Sequence, residues 1–110
     1  MININTIDQL DDLILDNEKK KILMLYFGSS WCGPCNKLKK KIDETIEMPN
    51  ILVFYIDVDI NTDISENYDI TMLPTQVFIR VKNMNVQIIE KIEGYDWIKL
   101  LMVYNKIDCK

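Results

Sequence analysis

Histidine is absent from the 110 residues, and with it go imidazole general-base catalysis, a Cys-His nucleophile pair and every histidine metal site. Alanine is missing too, while Ile, Asn and Lys abound, a bias that reads as coding composition and carries no function. Only three glycines and three prolines interrupt a chain that is 48% hydrophobic, a mixture too apolar for disorder. No apolar run approaches membrane-spanning length. The opening Met1-Ile2-Asn3-Ile4-Asn5 lacks the basic and apolar regions of a secretory leader, so the expected location is cytoplasmic, or a particle supplied from there. The formal net charge of −4 argues against a nucleic-acid partner. Length fits a single domain over residues 1–110. Three cysteines are too few for a disulfide framework; Cys32 and Cys35 fall together, and Cys109 is left over near the terminus.

What is present centres on Trp31-Cys32-Gly33-Pro34-Cys35. The string follows the apolar run Ile22-Leu23-Met24-Leu25-Tyr26-Phe27 and precedes a lysine-rich segment whose Leu38, Ile42 and Ile46 recur every four residues. This predicts a buried strand, a Gly28-Ser29-Ser30 loop and an amphipathic helix with both thiols at its start. Free N–H groups and the positive dipole end of a helix favour a thiolate over a thiol, which makes Cys32 a nucleophile. Cys35, one turn along the same face, is close enough to form a disulfide with Cys32 or to attack a sulfur bonded to it. Gly33 is read as allowing a tight turn, and Pro34 is tolerated in a first helical turn. Taken alone, C-x-x-C also fits half of a tetrahedral zinc site, but Cys109 is the one further soft ligand. Buried inert cysteines fit poorly with glycine and proline between them.

Ahead of the motif, Ile2 and Ile4 alternate with Asn3 and Asn5 as a short edge strand. Thr6 with Gln9 forms a capping box for a helix that carries Ile7, Leu10, Leu13 and Ile14 on one face and ends near Asn17. Asp8, Asp11 and Asp12 lie in its first turns, where the dipole favours them. Beyond the motif, the lysine-rich helix runs to about Met48 and stops at Pro49-Asn50. Ile51 to Ile56 is a second continuous apolar strand, so it and the first are central and covered on both faces. A short helix spans about Asp63 to Asn67. Leu73-Pro74-Thr75 opens a strand over Gln76 to Val81. Lys82-Asn83-Met84-Asn85 turns it into an antiparallel partner, Val86 to Ile92, with Asn83 and Asn85 able to take a positive φ. Gly94-Tyr95-Asp96 leads into a last helix carrying Trp97, Ile98, Leu101 and Tyr104 or Asn105 on successive turns, with Trp97 read as core. The order is βαβαβαββα, an α/β class.

The string Trp31-Cys32-Gly33-Pro34-Cys35 in this strand-to-helix setting resembles the active site of the thioredoxin family, and the resemblance covers essentially the whole chain. It implies the thioredoxin fold, a central mixed sheet of four to five strands with helices on both faces. Leu73-Pro74-Thr75 is similar to the family's Ile-Pro-Thr element, which implies a cis Pro74 facing the disulfide and a Leu73 backbone that pairs with an extended substrate segment. Gly94 matches the glycine after the hairpin. Trp31, Pro34, Met72, Leu73 and Gly94 are then expected to form an apolar docking patch around the Cys32 sulfur. The implied activity is protein-disulfide reduction, with Cys32 as nucleophile and Cys35 as resolving thiol, supported by Trp31, Gly33, Pro34 and Pro74. Disulfide-containing proteins are the implied substrates, and a flavin-dependent thioredoxin reductase using NADPH, or a dithiol pool, supplies electrons. The chain is expected to act as a monomer without metal, cofactor or membrane. Gly33-Pro34 between the cysteines, in place of the Gly-His of isomerases, favours reduction. The rivals are an oxidase or isomerase that assists assembly of disulfide-bonded proteins, and a non-enzymatic interaction module.

Some positions depart from the family pattern. Thioredoxins carry a buried aspartate six residues before the first cysteine, where this chain has Tyr26. They usually carry a lysine on the next strand, where it has Tyr55. Losing acid and base together orphans neither. Tyrosine, with a reference pKa of about 10, is a poor base near neutrality, so the resemblance implies a slower or differently poised enzyme. Lys40 stands where many members have a helix proline, implying a straighter helix. Lys37, Lys39, Lys40 and Lys41 read as a solvated face, and Cys109 as an exposed terminal thiol.

Overall fold

β2 (Ile22–Gly28) is apolar at both parities, so neither of its faces can be left in water. The computed structural model, which describes residues 1–16, 22–45 and 51–108, buries every residue of that strand after Ile22. β2 lies between β3 (Ile51–Asp57), which is parallel to it, and β4 (Thr75–Lys82), which is antiparallel. β1 (Ile2–Ile4) pairs in parallel outside β3, and β5 (Asn85–Glu93) pairs antiparallel outside β4, giving the order β1-β3-β2-β4-β5. Four helices alternate with these strands: α1 (Ile7–Asp16), α2 (Gly33–Thr45), α3 (Thr62–Asn67) and α4 (Trp97–Asp108). The chain order is therefore βαβαβαββα, with five strands.

Period-two alternation divides the strand side chains between two cores. Leu23, Leu25 and Phe27 of β2, Phe54 and Ile56 of β3 and Val77 and Ile79 of β4 meet Leu10 and Ile14 of α1 and Ile64 of α3. On the other face Met24, Tyr26, Phe78 and Ile92 meet Leu38 and Ile42 of α2 and Leu100, Val103 and Ile107 of α4. Each large apolar side chain removed from water in this way contributes about 1.5–3 kcal/mol. Buried Asn61 ties the sheet edge to the β3–α3 connection, its Nδ2 donating to the carbonyls of Ile4 and Asp57 at 3.1 Å each. Among the described residues no helix is long and apolar enough to cross a membrane.

Local chemistry differs from expectation at particular points. At the start of α1 the Gln9 N–H donates to Thr6 Oγ1 at 3.1 Å, but Gln9 Oε1 accepts from the Asn5 N–H at 2.8 Å, one residue before the cap. Gly28 is the last residue of β2 and not part of the loop. In the hairpin Lys82 faces Asn85, so the turn is Asn83-Met84, with φ of 52° and 63°. A two-residue turn matched to strand twist needs the left-handed region at both central positions; Met84 takes it, and Asn85 is already in β5. In α4 the buried face is Leu100, Val103 and Ile107, with Trp97 and Tyr104 partly buried, while Ile98 is 70% exposed. Apolar residues surround the first two turns of that helix, so its rotation is set by Phe78 and Ile92 beneath it and not by periodicity. The expected helix ends at Asn17 and Met48, the Pro49-Asn50 stop, Ile46 and Cys109 lie outside the described residues.

Candidate active site

The site forms where α2 settles on the end of β2. A Cβ added to Gly28 would stand 3.3 Å from Cys35 Cβ, 3.3 Å from the Tyr55 hydroxyl and 3.4 Å from Tyr26 Cε1. A bare backbone at this position lets the first turn of α2 approach the strand. Cys32 is the capping residue: its N–H donates to the Ser29 carbonyl at 3.3 Å, and its own carbonyl accepts the Asn36 N–H at 3.1 Å. Cys32 Sγ accepts the Cys35 N–H at 3.2 Å, using the sulfur as a serine hydroxyl is used in an ordinary cap. Asn36 Nδ2 donates to the Ser30 carbonyl at 3.1 Å and closes the loop. The two sulfurs are bonded, with Cα atoms 5.2 Å apart. Cys32 retains 7% exposure and Cys35 1%, so attack from outside reaches the Cys32 sulfur more readily. Gly33 lies in the first turn of α2, and a Cβ there would meet open space. Among the described glycines only Gly94 has a positive φ, so the tight turn expected of Gly33 is not what the backbone requires.

Around the disulfide, Trp31 is 71% exposed, yet its Nε1 donates to Asp59 Oδ2 at 2.8 Å. Pro34 is exposed in the same loop-to-helix junction. The Leu73–Pro74 peptide is cis. Thr75 Oγ1 donates to the Met72 carbonyl, and the Gly94 N–H donates to the Pro74 carbonyl at 2.7 Å. Gly94, at φ 86°, would place a Cβ 3.5 Å from Met72 Sδ. Met72, Pro74 and Gly94 are thus drawn together. Leu73 differs from the expected patch: its side chain packs against the α1/α3 core, which leaves its backbone as the part at the rim.

Beneath the disulfide a row of polar side chains crosses the sheet. Tyr26 of β2 is in register with Tyr55 of β3 and with Gln76 of β4. Tyr26 is fully buried, and its hydroxyl donates to the Cys35 carbonyl at 2.6 Å. Burial, and then Tyr55, push the Tyr26 phenol far above its ordinary value, while a hydrogen bond with the Lys39 backbone pulls weakly the other way. The two rings meet edge to face at 5.9 Å, and Lys39 Nζ lies 4.8 Å from the Tyr55 ring centroid. Tyr55 is also raised, by burial first and by Asp57 and Asp59 after it. Gln76 is fully buried, and both its side-chain amide atoms lack a partner, as does Ser29 Oγ.

Sequence reasoning missed Gly28, Asp59 and Gln76. The signal for Gln76 was a polar residue sharing the parity of Phe78 inside a buried strand. The signal for Gly28 was a glycine directly after the apolar run, which sequence reasoning assigns to the loop. Asp59 had no local signal, because its partner is 28 residues away.

The family model described as Thioredoxin matches residues 2–102. Thioredoxin-T of Drosophila melanogaster is 34% identical over 79 residues, covering 70% of this chain and 50% of that protein. Thioredoxin-1 of Caenorhabditis elegans is 32% identical over 82 residues, covering 74% and 68%. The chain thus spans about half to two thirds of the length of these curated relatives. Among solved structures, the Fasciola hepatica thioredoxin superposes with a TM-score of 0.86 at 28% identity, over 97% of this chain and 99% of that one. The germline-specific thioredoxin Deadhead of Drosophila melanogaster gives 0.83 at 26%, over 97% and 99%.

Proposed function

Because the chain belongs to the thioredoxin family, we propose that it is a thiol–disulfide oxidoreductase that reduces disulfides in protein substrates. The observation that carries this reading is the Cys32–Cys35 disulfide at the start of α2, with Cys32 Sγ as the capping acceptor. When the pair is reduced, the same N–H group and the helix dipole favour Cys32 as thiolate. That thiolate attacks a substrate disulfide and forms a mixed disulfide. Cys35 then attacks Cys32, the substrate leaves as a thiol, and the intramolecular disulfide returns.

The roles of the rim follow from its exposure. Trp31, Pro34, Met72 and Gly94 offer an apolar surface beside Cys32, and the Leu73 backbone is free to pair with an extended segment of the substrate. Pro74 supports that geometry. Electrons return from a flavin-dependent reductase or a dithiol pool, and residues 1–110 act as one thioredoxin-like domain, in a cytoplasmic monomer.

Equilibration with glutathione mixtures tests the direction. A couple near the thioredoxin value of about −270 mV supports the reductant. A value near about −180 mV, that of disulfide isomerase, makes it an oxidant or isomerase instead. A reversible couple absent from the native protein leaves only a binding module. Cys32→Ser must abolish the couple, and Cys109→Ser removes the spare thiol without affecting it.

A further inference from the structure

We propose that Tyr26 is a positioning residue for the resolving thiol: its hydroxyl holds the backbone of Cys35 in place and takes no part in moving the Cys35 proton. The inference rests on the oxidoreductase reading above.

In the resolving step the Cys35 thiol loses its proton and its sulfur bonds to Cys32 Sγ. The bond from Cys32 to the substrate sulfur breaks, and the substrate departs as a thiolate that takes up a proton. Electrons balance within the three sulfurs, so no outside oxidant enters. The step needs Cys35 deprotonated and its sulfur aimed at Cys32.

A phenol has one proton to give. That of Tyr26 is committed to the Cys35 carbonyl at 2.6 Å. The same hydroxyl thus meets α2 at Cys35, beneath the disulfide. To act as a base it would first have to be a phenolate, in a fully buried position. Its surroundings do not supply that charge. The ionisable groups acting on it are Tyr55 from β3, Asp43 from α2 and Tyr95 from the segment before α4, and each of them opposes a phenolate. From β4 the facing residue is the neutral Gln76.

What remains is geometry. Resolution requires the Cys35 sulfur to be in line with the Cys32–substrate bond, and small displacements of a reacting group are costly in rate. A hydrogen bond to the backbone of Cys35 itself is well placed to fix that turn when the disulfide is open.

The test uses the reduced 110-residue chain in the Cys109→Ser background with 5,5′-dithiobis(2-nitrobenzoate) as the disulfide. Cys32 attack releases a first thionitrobenzoate and resolution by Cys35 releases a second, each followed by absorbance across a pH series. Tyr26→Phe is expected to slow the second release about tenfold at every pH, the order of one lost hydrogen bond. It should leave the first release within about twofold and the pH midpoint of the second unchanged. Tyr55→Phe, which removes the neighbouring hydroxyl, should alter neither. A moved midpoint in Tyr26→Phe would mean that the hydroxyl handles the proton, and the proposal would fall. It falls equally if Tyr26→Phe leaves the second release untouched, slows both releases alike, or is matched by Tyr55→Phe. If the native protein releases the first thiol and never the second, the oxidoreductase reading itself fails, a result no Tyr26 variant can mimic.

Discussion

The two faces of the sheet are made from the same strands by the same alternation, and their contents differ. Under α1 and α3 the strands offer Leu23, Leu25, Phe27, Phe54, Ile56, Val77 and Ile79, and the buried polar Thr75 opposite Phe27 has its hydroxyl committed to the Met72 carbonyl. Under α2 and α4 the equivalent positions include Tyr55, Tyr26 and Gln76 below a disulfide. An orphaned buried polar atom costs about 1–3 kcal/mol, comparable to what one buried apolar side chain contributes. The dry face can bear that cost for the other. Stability and chemistry are therefore separated by strand parity: moving one residue along β2 passes from Phe27, which packs on Tyr68 at 5.9 Å between centroids, to Tyr26, which holds Cys35.

The separation is open to direct attack from its packing side. Phe27→Ala on the dry face should cost about 3–5 kcal/mol of stability, read from the denaturant midpoint, while the redox potential of the cysteine pair stays where it was. A potential that moved in step with stability would mean the two faces are not independent.

Gln76→Leu probes the opposite face. Removing two unpartnered amide atoms at similar volume should stabilise the protein by about 1 to 2 kcal/mol in the same measurement. Destabilisation would show that the amide has a partner that matters.

The smallest effect is in pH. Tyr26, Tyr55 and Tyr68 are all raised in the folded protein, chiefly by burial. Above the unfolded value of about 10 the unfolded chain gives up protons that the folded chain keeps. Their protonated state therefore favours folding fully below about pH 10, and stability is lost as pH rises beyond it, by no more than about 1.4 kcal/mol per pH unit for each group. Tyr26→Phe should flatten this alkaline loss more than Tyr68→Phe, because Tyr26 is the more strongly shifted group. Equal flattening would erase the distinction between the faces on this measure.

Much of this was legible in the residues. Continuous apolar runs marked β2 and β3 as central, and Trp31 to Cys35 marked the site, because turn chemistry and period are local signals. The substitution of Tyr26 and Tyr55 at the positions of an acid and a base was also visible. The direction of the Tyr26 hydroxyl was not. Whether a buried phenol turns to a neighbouring strand, a helix carbonyl or the thiol itself depends on how closely α2 approaches, and that approach is set by Gly28. The rotation of α4 was hidden for a related reason: Ile98, Leu100, Leu101 and Met102 give no clean stripe, so the choice among them belongs to the face they meet. Met84 in the left-handed region shows pairing overriding preference, since the register of β4 and β5 fixes which residues occupy the turn.

The hydrogen bond between Trp31 and Asp59 bears on the thermodynamics of encounter. A large side chain that stands 71% in water would ordinarily sample several rotamers and lose that freedom when covered. Pinned at its indole nitrogen, Trp31 has already surrendered much of it before any partner arrives. In the proposed docking role, contact with the ring would then cost little further ordering, and the surface beside Cys32 would act as a rigid platform that selects partners by shape and not by adapting to them.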